Sequence, residues 1–389
     1  MNLSWHNKGR RPISYLTVNG YITITRTVFW NRQHGSVMPV DQWLGLSHNR
    51  YSPGVRELCC REASGGSFRR ACEDLARVGQ IHVTHETMRM IVEAEGQEAL
   101  RQQRTGALGP DWTIADCLSQ PDGCLCVITG ADGVKVPLVT EQEKAKRRKH
   151  RTGHRKARRH RYRIRRGSDQ KYKEFKILTF YDPSHRFQYA VGTSGNHEIL
   201  GRLMRREGKK LRLDQADIAY SVSDGADWIV RQYRDKLPML KVNILDYYHL
   251  RDHVIKASQS VFGPDSPEAQ SWREQITGII LEHGSLEVLE RITSLRKSLR
   301  AAGKRKALED LISYIARRLD MLDYPRFRQA NYEIGSGPTE AFCKTLTSRL
   351  KGPGMRWDKV NAEALMALAS VRSSGIWQSY WDVQRKSVA

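Results

Sequence analysis

The chain has 389 residues, with 65 Lys and Arg against 42 Asp and Glu, a formal charge of +23 and a pI near 9.9. That balance points to a polyanionic partner, nucleic acid by default, because basic side chains displace the counterions condensed on phosphates. A mean hydropathy of −0.60, with no apolar run of spanning length, argues against a membrane protein, and the first ten residues lack the apolar stretch of a secretory signal. The expectation is a cytoplasmic, nucleoid-associated protein. The length allows two or three domains with a substantial core. Seven cysteines occur without any Cys-x-x-Cys pair, so neither a disulfide framework nor a zinc ribbon is expected.

Within a first segment, residues 1–50, Tyr15–Trp30 alternates apolar and polar residues, and Asn19-Gly20 suits a two-residue hairpin turn. Residues 51–105 read as helical. Ser67 is the expected N-cap of a helix over Ser67–Arg77 with Gly79 as its stop, and Thr84 starts the next. Helix, short turn, helix is the helix-turn-helix pattern, which would turn Thr84, His85, Thr87 and Arg89 towards DNA; an ordinary helical hairpin has the same signature. From Cys117 the pattern changes to strands: Cys124–Val139, Glu174–Tyr181 and Arg186–Gly192, the last two joined by Asp182-Pro-Ser-His. A helix over His197–Lys210, a strand over Ile218–Ser223, a helix over Ala226–Lys236 and a strand over Leu240–Leu245 follow. Three strands, then helix-strand-helix-strand, predict an α/β fold with a mixed sheet across 115–260. After Tyr247–Ser260, residues 261–333 read as entirely helical, with starts near Ser266, Ser285 and Lys304. The last segment, 334–389, opens with another helix.

The tract at 144–166 holds a run of Lys, Arg and His that no core accepts. Charge runs are usually solvated tails, but this one interrupts a sheet-forming region, which favours contact with a nucleic-acid backbone. His150, His154 and His160 lie within it, and the surrounding cations repel a metal.

Four acids stand out by context. Asp132 lies within the first strand of the sheet region and precedes Gly133. Asp224-Gly225 follows an apolar strand. Asp246 ends the next strand and opens Asp246-Tyr-Tyr-His249. Glu340 is the one acid in a helix start built from Gly335, Ser336, Gly337 and Pro338, with Lys344, Arg349, Lys351 and Arg356 after it. Carboxylates at neighbouring strand ends, with another from a helix, suit two Mg²⁺ or Mn²⁺ ions for phosphoryl transfer. An Asp-Gly after a strand is more often only a turn, His249 alone is more often a helix residue, and Asp182, Asp214, Asp217, Asp227 and Asp252 are alternatives.

The order of these blocks resembles the DDE transposases of bacterial insertion sequences, the ISKra-type family and more distantly the Mutator-like transposases. The matching pieces are Ala131-Asp132-Gly133-Val-Lys-Val-Pro137 with Glu143-Lys-Ala-Lys-Arg-Arg148, Ser223-Asp224-Gly225-Ala226, Asp246-x-x-His249, and Ile334-Gly-Ser-Gly-Pro-Thr-Glu340 running to Met355-Arg-Trp357. The likeness spans roughly Cys117 to Trp377, and the final block is its most specific part. It implies an RNase H-like core interrupted by an all-helical insertion and preceded by the helix-turn-helix region. It further implies Asp132, Asp224 and Glu340 as the metal-binding triad for two Mg²⁺ or Mn²⁺ ions, with Asp246 and His249 as the Asp-x-x-His signature. The implied reaction cleaves DNA at a transposon end, and the freed 3′-hydroxyl attacks target DNA; Trp272 in the insertion would stack on an unpaired end. The implied partner is double-stranded DNA, transposon ends and target, bound by a homodimer or higher oligomer. Relatives often carry paired N-terminal cysteines, and this chain has none before Cys59, so a shortened start is expected. An RNase H-like nuclease or resolvase would use the same acids without strand transfer, and a domesticated DNA-binding regulator would need none of them.

Overall fold

The computed structural model describes residues 4–43, 50–117, 123–146, 172–352 and 355–386. From residue 147 on, the basic tract lies outside the described residues. The chain divides into two compact units: Met1–Asp111, Val136–Lys173 and Thr345–Ala389 form one, and Trp112–Lys135 with Glu174–Lys344 the other.

The first unit starts with an antiparallel hairpin, β1 (His6–Thr17) and β2 (Gly20–Asn31), extended by β3 (Gly35–Val37). Thr17 pairs with Gly20, so the two-residue loop is Val18-Asn19, one residue earlier than the sequence suggests, and Gly20 takes the positive φ of 103° as β2 opens. The short helix α1 (Pro39–Trp43) brings Asp41 under the sheet, where it accepts the Tyr15 hydroxyl at 2.8 Å and pairs with Arg26 at 2.7 Å. Helices α2 (Pro53–Ala63), α3 (Phe68–Gly79) and α4 (His85–Thr105) follow, with Ser52, Ser67 and Thr84 accepting first-turn N–H groups as N-caps. α3 ends at Gly79, with Gln80 in the left-handed conformation as its C-cap.

The second unit holds a five-stranded sheet: β4 (Cys126–Val136), β5 (Lys173–Tyr181), β6 (Gln188–Thr193), β7 (Ile218–Ser223) and β8 (Val242–Leu245), in the order β6-β5-β4-β7-β8. β5 and β6 run antiparallel, and β7 is parallel to both β4 and β8: a mixed sheet. Asn196 caps α5 (His197–Lys210), and α6 (Asp227–Lys236) connects β7 to β8. After α7 (Tyr247–Phe262) come α8 (Pro267–Glu282), α9 (Ser285–Ser298), α10 (Ala302–Ala316) and α11 (Tyr324–Gln329).

These last helices are not a separate body. Val288, Ile292, Leu308 and Ile315 join Ile128, Tyr220, Val222 and Ile244 of the sheet in one continuous buried cluster. Burial of that shared apolar face, at roughly 25 cal/mol per Å², ties residues 261–333 to the sheet. α12 (Gly337–Lys351) then starts in the second unit, and α13 (Lys359–Ser373) and α14 (Trp377–Lys386) complete the first, where α13 lies along α4. No helix among the described residues is long and apolar enough to cross a membrane.

Candidate active site

The parallel part of the sheet aligns three of the acids. Thr129 of β4 pairs with Ser221 of β7; extended by three residues, that register sets Asp132 opposite Asp224. Ser223 pairs with Leu245 of β8, so one further residue sets Asp224 opposite Asp246, and the Asp246 N–H donates to the Ser223 carbonyl at 2.7 Å. Neighbouring strands lie about 4.8 Å apart. Carried on in this way, the register puts Asp132, within β4, in one row with Asp224 and Asp246, which directly follow β7 and β8, towards the edge at which open α/β sheets collect their functional groups.

Glu340 is brought to this edge by a close approach of α12 to β4. Thr339 is buried and its hydroxyl lies 2.8 Å from that of Thr179 on β5. A Cβ on Gly130 would fall 1.9 Å from the Thr339 hydroxyl oxygen, so only glycine at this point of β4 lets the helix start sit here. Neither Gly130 nor Thr339 is apparent as a site residue from the sequence, because their contact joins positions far apart in the chain. Glu340 itself is exposed in the first turn of α12.

The electrostatics separate Asp132 from its neighbours. Burial first, and then the charges of Asp224 and Glu340, hold its carboxyl above the usual carboxylate range; the Gly133 N–H and the Cys343 thiol oppose the rise. The thiol lies 3.6 Å from Oδ2, and the Gly133 N–H donates to Oδ1 at 2.5 Å. Among the described residues no cation pairs with Asp132.

Asp246 is used differently. One oxygen accepts the N–H groups of Tyr248 at 2.6 Å and His249 at 3.3 Å, capping α7. The other accepts the N–H of Ser336 at 3.1 Å and its hydroxyl. With the side chain buried and both oxygens committed, Asp246 ties the start of α7 to the approach of α12. Ser336, expected as a helix cap, spends its hydroxyl on this link.

Asp224 accepts the Ala226 N–H at 2.9 Å. The next residue, Gly225, has a φ of 69°, and a Cβ there would meet Leu245 at 2.7 Å and Arg318 at 2.9 Å. Arg318, from the end of the helical stretch, donates to the Gly225 carbonyl at 3.1 Å, so a cation stands directly behind the Asp224 turn. His249 is exposed one turn into α7, with the His253 ring at 5.4 Å and Tyr314 at 6.5 Å. The sequence carries no signal for Arg318 or Tyr314; His253 follows His249 at helical spacing and is the one neighbour that periodicity could have found.

In this arrangement the acids are aligned but not drawn together. Among the described residues no three His, Cys, Asp or Glu side chains group closely enough to hold a metal ion. The donor set still fits one in chemistry: the carboxylates are hard oxygen ligands, and the charge crowding at Asp132 is what a divalent cation would relieve. Asp132 and Asp224 are each turned to a nearby backbone N–H, so gathering them requires side-chain rotation.

A family profile described as Uncharacterised protein family (UPF0236) matches residues 2–107. No curated protein matches the chain. Among solved structures, the chain is similar to the Drosophila P element transposase strand transfer complex, at 10% sequence identity and a TM-score of 0.38 over 86% of this chain and 95% of that one. A likeness of that size says nothing of the reaction.

Other expected site residues are engaged elsewhere. Asp182 accepts the Phe187 N–H at 2.8 Å and the Ser184 hydroxyl within the β5–β6 turn, while Asp217 accepts the Leu125 N–H at 2.8 Å, joining the starts of β7 and β4. Trp272 is partly buried, its ring tilted against Phe262 at 5.9 Å and packed on the buried cluster. In the first unit Arg349, one of the cations that follow Glu340, is buried between Phe68 and Trp357 and donates to the Ala63 carbonyl at 3.0 Å. Burial pushes its guanidinium down to about 10. On α4, Arg89 is claimed by Glu86 at 2.6 Å and Glu93 at 2.5 Å, and Thr84 caps its own helix; neither group faces outward with its hydrogen bonds open.

Proposed function

We propose that the chain is a DDE-type transposase that cleaves double-stranded DNA at transposon ends and transfers the freed strand to target DNA. In this reading Asp132, Asp224 and Glu340 hold two Mg²⁺ or Mn²⁺ ions. The observation that carries it is the row of acids with Glu340 beside it, where the desolvated Asp132 carboxyl is crowded by like charges and, among the described residues, paired with no cation. Perturbation of that kind concentrates at functional sites. The mixed sheet, met as three strands and then helix-strand-helix-strand, supports the RNase H-like reading, and the shared core of residues 261–333 supports their reading as an insertion.

The metal ions, when bound, would activate the attacking water or 3′-hydroxyl and stabilise the leaving oxygen. The chain's own groups do the rest. Asp246 and Ser336 fix α7 relative to the start of α12, and hence Glu340 relative to the strands. Gly130 sets how closely α12 approaches. Arg318 secures the turn that presents Asp224. His249, exposed one turn beyond Asp246, is placed to meet a phosphate oxygen. The charge of +23 supports a DNA partner and a nucleoid location, with a homodimer or higher oligomer on the DNA. Residues 51–105 would serve as the helix-turn-helix, where Arg89 is held on the α4 surface by Glu86 and Glu93.

Glu340→Gln separates this reading from its competitors. Mg²⁺-dependent cleavage of element-end DNA should be lost while binding of the same DNA is kept. Cleavage that survives unchanged sinks the assignment; cleavage by the unmodified chain without any joined product would leave a nuclease.

A further inference from the structure

Beside the acid edge, α7 and α10 enclose an open groove of about 610 Å³. Its walls carry Lys256, Lys306, Arg317 and Arg318 against a single carboxylate, Asp310, which pairs with Lys306 at 2.8 Å. Lys256 and Arg317 are exposed and make no ion pair among the described residues. At the inner end, Arg318 both lines the groove and donates to Gly225, the residue after Asp224, so the groove leads directly to the acid row.

We propose that this groove takes the phosphodiester backbone of a DNA strand on its way to the acid row. The inference rests on the functional reading above and names the surface that delivers its substrate. Four cations against one acid select a polyanion. The aromatic groups indicate that phosphates and not bases are held. The Tyr314 ring stacks on His253 with centroids 3.8 Å apart and 16° between planes, and the Arg318 guanidinium lies 4.2 Å from the same ring. Both faces of Tyr314 are therefore covered, and no base can stack there. Its hydroxyl is buried and has no hydrogen-bond partner among the described residues, so the cations and not the phenol face the strand. Contact of this kind tracks a strand without reading its sequence.

The test uses the full-length protein and a mixed-sequence DNA duplex carrying a single-stranded 3′ extension, with affinity measured across a salt series. Lys256→Gln with Arg317→Gln removes two exposed cations without disturbing the core, and an unchanged melting temperature confirms the fold. The slope of log affinity against log salt should become shallower by about one for each cation removed, and affinity should fall about tenfold or more. Arg202→Gln with Arg205→Gln, exposed on α5 in the same unit, is the control for loss of charge alone. A slope unchanged by the groove substitutions, or changed no more than by the control, overturns the proposal. So does competition by millimolar inorganic phosphate that abolishes binding, since that result describes a small-anion site. Glu340→Gln reports on the acids separately: if it retains cleavage while the groove variants lose their slope, the functional reading fails and the groove stands. If it abolishes cleavage and the slope is unmoved, the groove fails alone.

Discussion

Glu95 in the first unit and Asp132 in the second are both carboxylates withdrawn from water, and their surroundings are opposite. Glu95 is 4% exposed and pairs with Arg56 at 2.5 Å. Burial raises its carboxyl, and the Arg56 charge and hydrogen bond act against the rise. At Asp132 burial acts in the same direction, but there Asp224 and Glu340 add to it. One acid comes with its counter-charge built into the chain; the other has none among the described residues. Glu207, fully buried, repeats the first pattern with Arg206 at 2.6 Å and Lys210 at 3.3 Å. Asp182 and Asp246, also buried, are held by hydrogen bonds instead, so what sets Asp132 apart is the like charge crowded on it.

The comparison can be broken most forcefully at Arg56. Arg56→Ala leaves Glu95 buried and unpaired, and should cost about 3 kcal/mol or more in denaturant unfolding. A loss below about 1 kcal/mol would mean that the pair does not set the contrast. Asp246→Ala comes next, at roughly 2 kcal/mol or more, because it removes the α7 cap and leaves the Ser336 hydroxyl without its acceptor. The same assay checks it, and a smaller change would mean that Asp246 is not the tie between the two helix starts.

Asp132→Asn should have the opposite sign, a gain of roughly 0.5–2 kcal/mol at neutral pH. The folded carboxyl holds its proton more tightly than the unfolded one, so the stability due to that proton is fully present below about pH 4 and is lost as pH rises through the folded value. The variant's advantage in melting temperature should therefore be present at pH 7 and absent in acid. A variant less stable than the parent at pH 7 would contradict the crowding. The smallest effect is expected at Arg89→Gln, within about 1 kcal/mol, since its pairs with Glu86 and Glu93 lie on a helix surface.

Much of the fold was legible because local chemistry writes it. Ser67, Thr84 and Ser266 announce their helices by side-chain capping, and His197–Lys210 and Ile218–Ser223 have the bounds their patterns suggest. β1 begins at His6, earlier than the alternating run implies, because Lys8, Arg10 and Arg11 sit on an exposed part of the hairpin where no apolar pattern is needed. The acids could be picked out as strand-end residues, yet their division of labour could not. Asp246 looks like Asp224 in sequence; what separates them is Ser336, ninety residues away. The roles of Gly130, Arg318 and Tyr314 likewise depend on contacts that only the folded chain creates.

The central claim, that Asp132, Asp224 and Glu340 together take up divalent cations, is tested most directly by Mn²⁺ titration of the full-length protein, with bound and free ion counted by electron paramagnetic resonance. The parent chain should bind two ions, and Asp132→Asn, Asp224→Asn and Glu340→Gln should each weaken or abolish binding while the melting temperature shows an intact fold. Mn²⁺ binding that is the same in all three variants as in the parent would contradict it.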